Sequence, residues 1–261
     1  MDLPNSRMPA DRALWLSELR RFVGKVEEVT GNTITAEGLA AATRLINRKR
    51  AALQRLFQIR RARPAPISGL DALLVTQISF YDDPARFAQK TDELCDELEA
   101  RVQAGEGVAP PDAKRILYAG TPMPIPFWTI PMLIEGTGAV VVAEESCTGS
   151  RLVAGGQTPI RDDSVEDQLA AIADRQLQTN CACFTPNDDR IDDILRMVEE
   201  YEADGVIHFS LSFCQPYNLE AVRVQKALQE AGIPALLLEG DYTEEQAGRL
   251  RTRIEAFVET L

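Results

Sequence analysis

Five cysteines and one histidine bound the chemistry open to this chain of 261 residues. A single imidazole, His208, excludes His-rich zinc sites, facial His triads and most schemes that need two imidazoles. Any metal must therefore rest on sulfur. Cys147, Cys181, Cys183 and Cys214 fall in one stretch of the chain, and thiolates converging without histidine suit an iron–sulfur cluster or a Cys-only zinc site, because soft ligands select those metals. Structural zinc sites usually pair two C-x-x-C knuckles; here the ligands would come from three separate loops. The alternative for any cysteine is a small core hydrophobe, and that is the reading for Cys95 within the helical pattern Asp92-Glu-Leu-Cys-Asp-Glu-Leu98. His208, inside Gly205-Val-Ile-His-Phe-Ser-Leu211, is read as a hydrogen-bonded core histidine. Glu144, Glu145 and Arg151 flank Cys147; they could tune a cluster's charge, but are read as ordinary loop charges.

The elements that must position these thiols change in texture along the chain. From Ala10 to about Arg63 apolar residues recur at spacings of three and four, which predicts helix. Gly31 ends the first helix, and a second begins after Thr35 as N-cap and runs until Pro64 and Pro66 stop it. Its basic residues Arg44, Arg48, Lys49, Arg50, Arg55, Arg60 and Arg61 are read as a solvated face paired with nearby acids. Residues 67–104 continue helical, and Ala104 to Asp112, with two glycines and two prolines, reads as a linker. Four β-rich runs follow: Arg115–Ala119, Ala139–Ala143, Val206–Leu211 and Ala235–Leu238. Helical patterns Ile191–Tyr201, Leu219–Ala231 and Thr243–Leu261 lie between and after them. The predicted fold is thus α/β, a helical segment over 1–111 followed by a doubly wound, mainly parallel sheet over 112–261 that would bind the metal. In such a sheet Cys147 and Cys214 emerge at the carboxyl edge, where open α/β folds place ligands. Cys181 and Cys183, just ahead of a helix capped near Asn187 or Asp188, could reach the same edge.

The first strand-to-helix turn reads Gly120-Thr-Pro-Met-Pro-Ile-Pro126. It matches neither G-x-G-x-x-G nor G-x-x-x-x-G-K-[ST], and its prolines remove N–H groups that a phosphate cradle needs, so no standard loop for NAD or ATP is expected. With 40 acidic against 28 basic residues the net charge is -12, which disfavours nucleic acid and anionic membrane surfaces as partners. No apolar run reaches the roughly 18–20 residues of a membrane span, and no export signal opens the chain. A cytoplasmic protein with reduced thiols is expected.

The segment Glu144-Glu-Ser-Cys-Thr-Gly-Ser-Arg151, the Cys181-Ala-Cys183 loop before a helix, the strand end His208-Phe-Ser-Leu-Ser-Phe-Cys-Gln-Pro-Tyr217 and the C-terminal Glu239–Arg253 stretch resemble the 2-hydroxyacyl-CoA dehydratase / benzoyl-CoA reductase superfamily. The paired Cys181 and Cys183 resemble its double-cubane-cluster branch. The resemblance implies that Cys147 and Cys214 ligate a 4Fe-4S or bridged double-cubane cluster, with Cys181 and Cys183 as further ligands. It also implies that low-potential electrons come from a separate iron–sulfur activator that hydrolyses ATP, so that ATP acts only through that partner.

Members of that superfamily begin with another α/β domain that supplies further cluster cysteines, and this chain resembles the part that follows. Two joined cubanes offer about six thiolate positions, more than four cysteines fill. A missing N-terminal domain or a separate subunit is therefore expected as partner, in a homo- or heterodimer. Without it, Phe184 and Phe213 should lie open to water. The reading is the C-terminal part of an iron–sulfur reductase acting on a small molecule. The alternatives are a 2-hydroxyacyl-CoA dehydratase subunit, a non-catalytic partner half and a Cys-only zinc protein.

Overall fold

The computed structural model describes residues 1–261, apart from the side chain of Glu244. Four helices come first: α1 (Pro9–Thr30), α2 (Ala36–Ile59), α3 (Gly69–Ile78) and α4 (Pro84–Ala104). Their ends obey local chemistry. Gly31 takes the left-handed conformation at φ 70° that stops α1, and the Thr35 hydroxyl accepts a hydrogen bond from the Gly38 amide at 3.1 Å to start α2. Asp83 caps α4 with Pro84 in its first turn. Leu56 of α2, Ala72 of α3 and Cys95 and Leu98 of α4 share one small core.

The second half alternates strands and helices: β1 (Arg115–Gly120), α5 (Thr129–Glu135), β2 (Val140–Glu145), α6 (Val165–Gln176), α7 (Asp188–Glu200), β3 (Gly205–Leu211), α8 (Gln215–Glu230), β4 (Ala235–Gly240) and α9 (Ala247–Glu259). The strands form one parallel sheet in the order β2-β1-β3-β4. Both faces are covered, so the inner strands read as continuous apolar runs rather than alternating ones. Ile116 and Tyr118 of β1 pack with Ile207 and Phe209 of β3 under α3, α5 and α9. Leu117 and Ala119 turn the other way, with Val142 and Val206, against Ile194, Met197 and Val198 of α7 and Val224 and Leu228 of α8. The α/β class and the helical lead-in are as the sequence predicts.

Two helices escape the sequence reading, the seven-residue α5 and α6. The latter carries an N-cap, since Ser164 accepts from the Asp167 amide, and packs Leu169 and Ala173 against Leu16 and Leu19 of α1. The first strand-to-helix turn departs from β1 at Gly120, whose φ is 117°. A Cβ there would stand 2.1 Å from the Phe209 carbonyl oxygen, and the Thr121 amide donates to that same oxygen at 2.9 Å. Glycine is needed because β1 and β3 touch backbone to backbone at the carboxyl edge. Beyond the turn, Phe127 stacks on Tyr242 from the end of β4, with ring centroids 4.9 Å apart.

Candidate functional site at the carboxyl edge of the sheet

β2 ends in two carboxylates that a pleated strand sends to opposite faces. Glu144 and Glu145 are both buried, which corrects their reading as loop charges. Glu144 receives a bidentate pair of hydrogen bonds, each 2.7 Å, from Arg60 at the end of α2. Glu145 receives two guanidiniums: Arg151, from the 3₁₀ turn Ser150–Leu152, and Arg190 of α7, whose Nη2 donates at 2.8 Å. Arg190 is 0% exposed, so its charge is tolerable only because Glu145, and Glu220 at 3.5 Å, offset it.

From Glu145 the network runs to the thiols. Arg151 Nη1 donates to the Tyr217 hydroxyl at 2.6 Å and to Cys147 Sγ at 3.4 Å. The Tyr217 ring, on the first turn of α8, lies against the guanidiniums of both Arg151 and Arg190, and burial raises its phenol above the ordinary range. Arg190 Nη2 lies 3.4 Å from His208 Nε2; guanidinium only donates, so that ring nitrogen accepts and the proton sits on Nδ1. Among the described residues His208 Nδ1 has no partner. The histidine is a core residue as expected, with one nitrogen unsatisfied. Burial, with Arg190 and Arg151 adjacent, holds the ring neutral by pushing its pKa down to about 3.

Cys147 and Cys181 stand side by side. The two thiols act on each other: the neighbouring Cys147 lowers the Cys181 pKa to about 7, helped by the Cys183 amide and opposed by burial, while Cys181 together with burial raises that of Cys147. Of the two, Cys181 is the thiol that ionises more readily. The Cys181 loop is clasped from the N-terminal segment: the Thr185 amide donates to the Asn5 carbonyl at 2.9 Å, Arg7 donates to the Thr179 carbonyl at 3.2 Å, and Arg7 lies over the Phe184 ring. Ala182 is buried while Cys183 is exposed. Cys214 is half-buried at the N-cap of α8, one residue past Phe213. Among the described residues no three His, Cys, Asp or Glu side chains stand close enough to cage a single ion. Cys95 is fully buried, its thiol pushed up to about 11 by burial, and takes no part.

Thus two of the four candidate cysteines, Cys147 and Cys181, are neighbours; Cys183 follows Cys181 by two residues, and Cys214 sits at the N-cap of α8 past the carboxyl end of β3. Phe213 is open to water, 90% exposed at a positive φ of 68°, whereas Phe184 is half-buried under Arg7. Sequence reasoning missed Arg190 and Tyr217 as members of the network and put Arg60 on a solvated face, whereas it is buried against Glu144. The signal was present, for Arg190 falls four residues before Ile194 on the buried stripe of α7, and Arg60 four after Leu56 on that of α2. An arginine in register with an apolar stripe must find a hydrogen-bond partner inside.

The family model for the 2-hydroxyglutaryl-CoA dehydratase D-component matches residues 1–261. YjiM of Escherichia coli (strain K12), which bears the name of a dehydratase subunit, is 36% identical over all of this chain and 67% of its own length. The (R)-phenyllactyl-CoA dehydratase beta subunit of Clostridium sporogenes is 28% identical over 98% of this chain and 66% of its own length. A benzoyl-CoA reductase subunit of Thauera aromatica is 25% identical over 62% of this chain and 38% of its own. The chain spans about two thirds of the length of the first two of these relatives. With a match that runs from the first residue to the last, the chain belongs to the 2-hydroxyglutaryl-CoA dehydratase D-component family.

Proposed function

We propose that this chain is the C-terminal part of an iron–sulfur reductase in which Cys147, Cys181, Cys183 and Cys214 hold a 4Fe-4S or bridged double-cubane cluster. An ATP-hydrolysing iron–sulfur activator supplies it with electrons in the cytoplasm, and no helix of the chain is long and apolar enough to cross a membrane. The observation that carries this reading is the Cys147–Cys181 thiol pair at the carboxyl edge of the sheet, one sulfur already inclined to the thiolate that iron requires. Such a cluster, when bound, supplies one-electron reduction at low potential. The chain's own residues set its surroundings. Arg151 donates to the Cys147 sulfur, and Glu145 fixes Arg151, so a positive charge stands against that ligand in a buried frame. Hydrogen bonds to cluster sulfur raise the potential, and Arg151 is the residue placed to do so.

The remaining ligands come in this reading from a partner polypeptide or a preceding domain. The exposed Phe213, Leu219 and Val222 beside Cys214 and along α8 offer it an apolar landing surface. A 2-hydroxyacyl-CoA dehydratase subunit is the second reading, favoured by the names of YjiM and the phenyllactyl-CoA enzyme. Anaerobic reconstitution with iron and sulfide tests the site. A broad absorption near roughly 400 nm should appear, with iron and sulfide bound in proportion, and should weaken in Cys147→Ser and Cys181→Ser. Stoichiometric zinc with no chromophore in the presence of the complementary polypeptide would refute it.

A further inference from the structure

Most arginines near the site are neutralised by a carboxylate: Arg60 by Glu144, Arg151 and Arg190 by Glu145, Arg61 by Glu200. Three neighbouring cations are not. Lys49 Nζ donates to the Ser79 carbonyl. Arg50 Nη1 donates to Asn47 Oδ1 at 3.1 Å and Thr158 Oγ1 at 3.0 Å. Arg175 Nη2 donates to the Leu152 carbonyl at 3.0 Å. Every partner is neutral, yet Arg175 is buried and the other two are half-buried. All three line one cavity of about 280 Å³, together with Arg151 and Cys147, and no carboxylate lines it. Burial lowers the pKa of each, Arg50 to about 10; Arg50 further lowers Lys49, and Arg175 further lowers Arg50. These cations therefore repel one another in the folded chain, and something must offset them.

A second, independent feature borders the same space. Ser79 lines the cavity, is 2% exposed, and its Oγ has no hydrogen-bond partner among the described residues. A buried orphan hydroxyl beside three uncompensated cations is the donor set of an oxyanion site. Cys181, Cys183 and Cys214 do not line this cavity, whose wall includes Cys147 and Thr179. At roughly 30 Å³ per water it has room for an oxyanion with a few attached heavy atoms, not for a whole nucleotide-bearing carrier.

We propose that this cavity binds a small oxyanion, a phosphate or carboxylate group, held by Lys49, Arg50 and Arg175 with the Ser79 hydroxyl, so that the bound molecule lies beside Cys147. The site stands apart from the cluster reading and is tested without it. Inorganic phosphate and acetate are titrated into the full chain by calorimetry at fixed ionic strength with chloride as balance, before and after iron and sulfide loading, with iron content measured separately. One of the two anions should bind at one per chain in both states; which one identifies the phosphate or carboxylate source. Arg50→Gln and Lys49→Gln should each weaken binding by roughly tenfold, and Arg50→Lys should restore most of it. Thermal stability of each variant shows that it folds. Neither anion binding better than chloride, or unchanged affinity in both glutamine variants, overturns the site. Binding that disappears on iron loading also overturns it, because the cations would then serve the cluster. Iron that fails to bind while the anion still does leaves this site standing and removes only the cluster.

Discussion

Replacing Glu145 by glutamine removes one negative charge from a place where Arg151 has it as its carboxylate partner and Arg190 shares it with Glu220. The side chains of Glu145, Arg151 and Arg190 are 3%, 5% and 0% exposed, so water cannot take over the lost charge. Breaking a buried pair by deleting one partner costs about 3–5 kcal/mol. Glutamine keeps the shape and one acceptor oxygen, which places the expectation near 3 kcal/mol, a large share of a total of roughly 5–15 kcal/mol. With a urea slope near 3 kcal/mol per molar for a chain of this size, the midpoint should fall by about 1 M. Asp174→Asn is the control: it removes the acid from the Arg12–Asp174 pair, whose side chains are 45% and 49% exposed, and should cost at most about 1 kcal/mol. Urea unfolding followed by circular dichroism measures both. Should Glu145→Gln shift the midpoint no further than Asp174→Asn, the buried network does not carry the weight assigned to it.

Two further perturbations test the interior. The folded-state pKa of His208, about 3, lies below the unfolded value of 6.5, so the unfolded chain binds the proton first on acidification. Stability from this group is then fully present above about pH 6.5 and falls as the pH drops towards 3, by about 2 kcal/mol between pH 6.5 and 5. His208→Gln should flatten the profile over that range, and parallel curves for variant and wild type would contradict the assignment. Gly120→Ala should lower stability by at least about 3 kcal/mol, since its Cβ meets the Phe209 carbonyl at a strained φ. Gly24→Ala, in α1 with nothing within 4 Å, should raise it by about 0.5–1 kcal/mol, so that thermal melts of the two move in opposite directions.

What could be read without coordinates follows from how the signals arise. The strands are apolar runs because both faces of the sheet are covered, and each predicted run lies within a residue or two of its observed bounds. The caps at Thr35 and Gly31 are local, so they too were legible. α5 was lost because seven residues hold under two turns of periodicity, and α6 because its core face is short and set among charged residues, although Ser164 announced it. The acids that the buried arginines meet were illegible for another reason. Register with an apolar stripe marks Arg60 and Arg190 as inward, but their acids lie 84 and 45 residues away in sequence. The contact of Cys147 with Cys181 depends on how the long connection from β2 to β3 is folded back by Asn5 and Arg7, which no spacing of cysteines encodes.

The strand order β2-β1-β3-β4 also governs how the chain can be made. Every later strand adds to an outer side of what already exists: β2 joins one side of β1, β3 the other, and β4 extends from β3. No finished ladder has to open to admit a newcomer. The side of β1 that will receive β3, however, waits while roughly ninety more residues are synthesised, some 5–18 s at ribosomal speeds. During that interval Ile116 to Gly120, destined for complete burial, present unpaired backbone groups and an apolar face to whatever is nearby. The helices made before β3 can shelter a face of β1 but not its open edge. Slow translation through the β2–β3 connection would lengthen the exposure, so chaperone demand should be set by this segment rather than by the thiol loops.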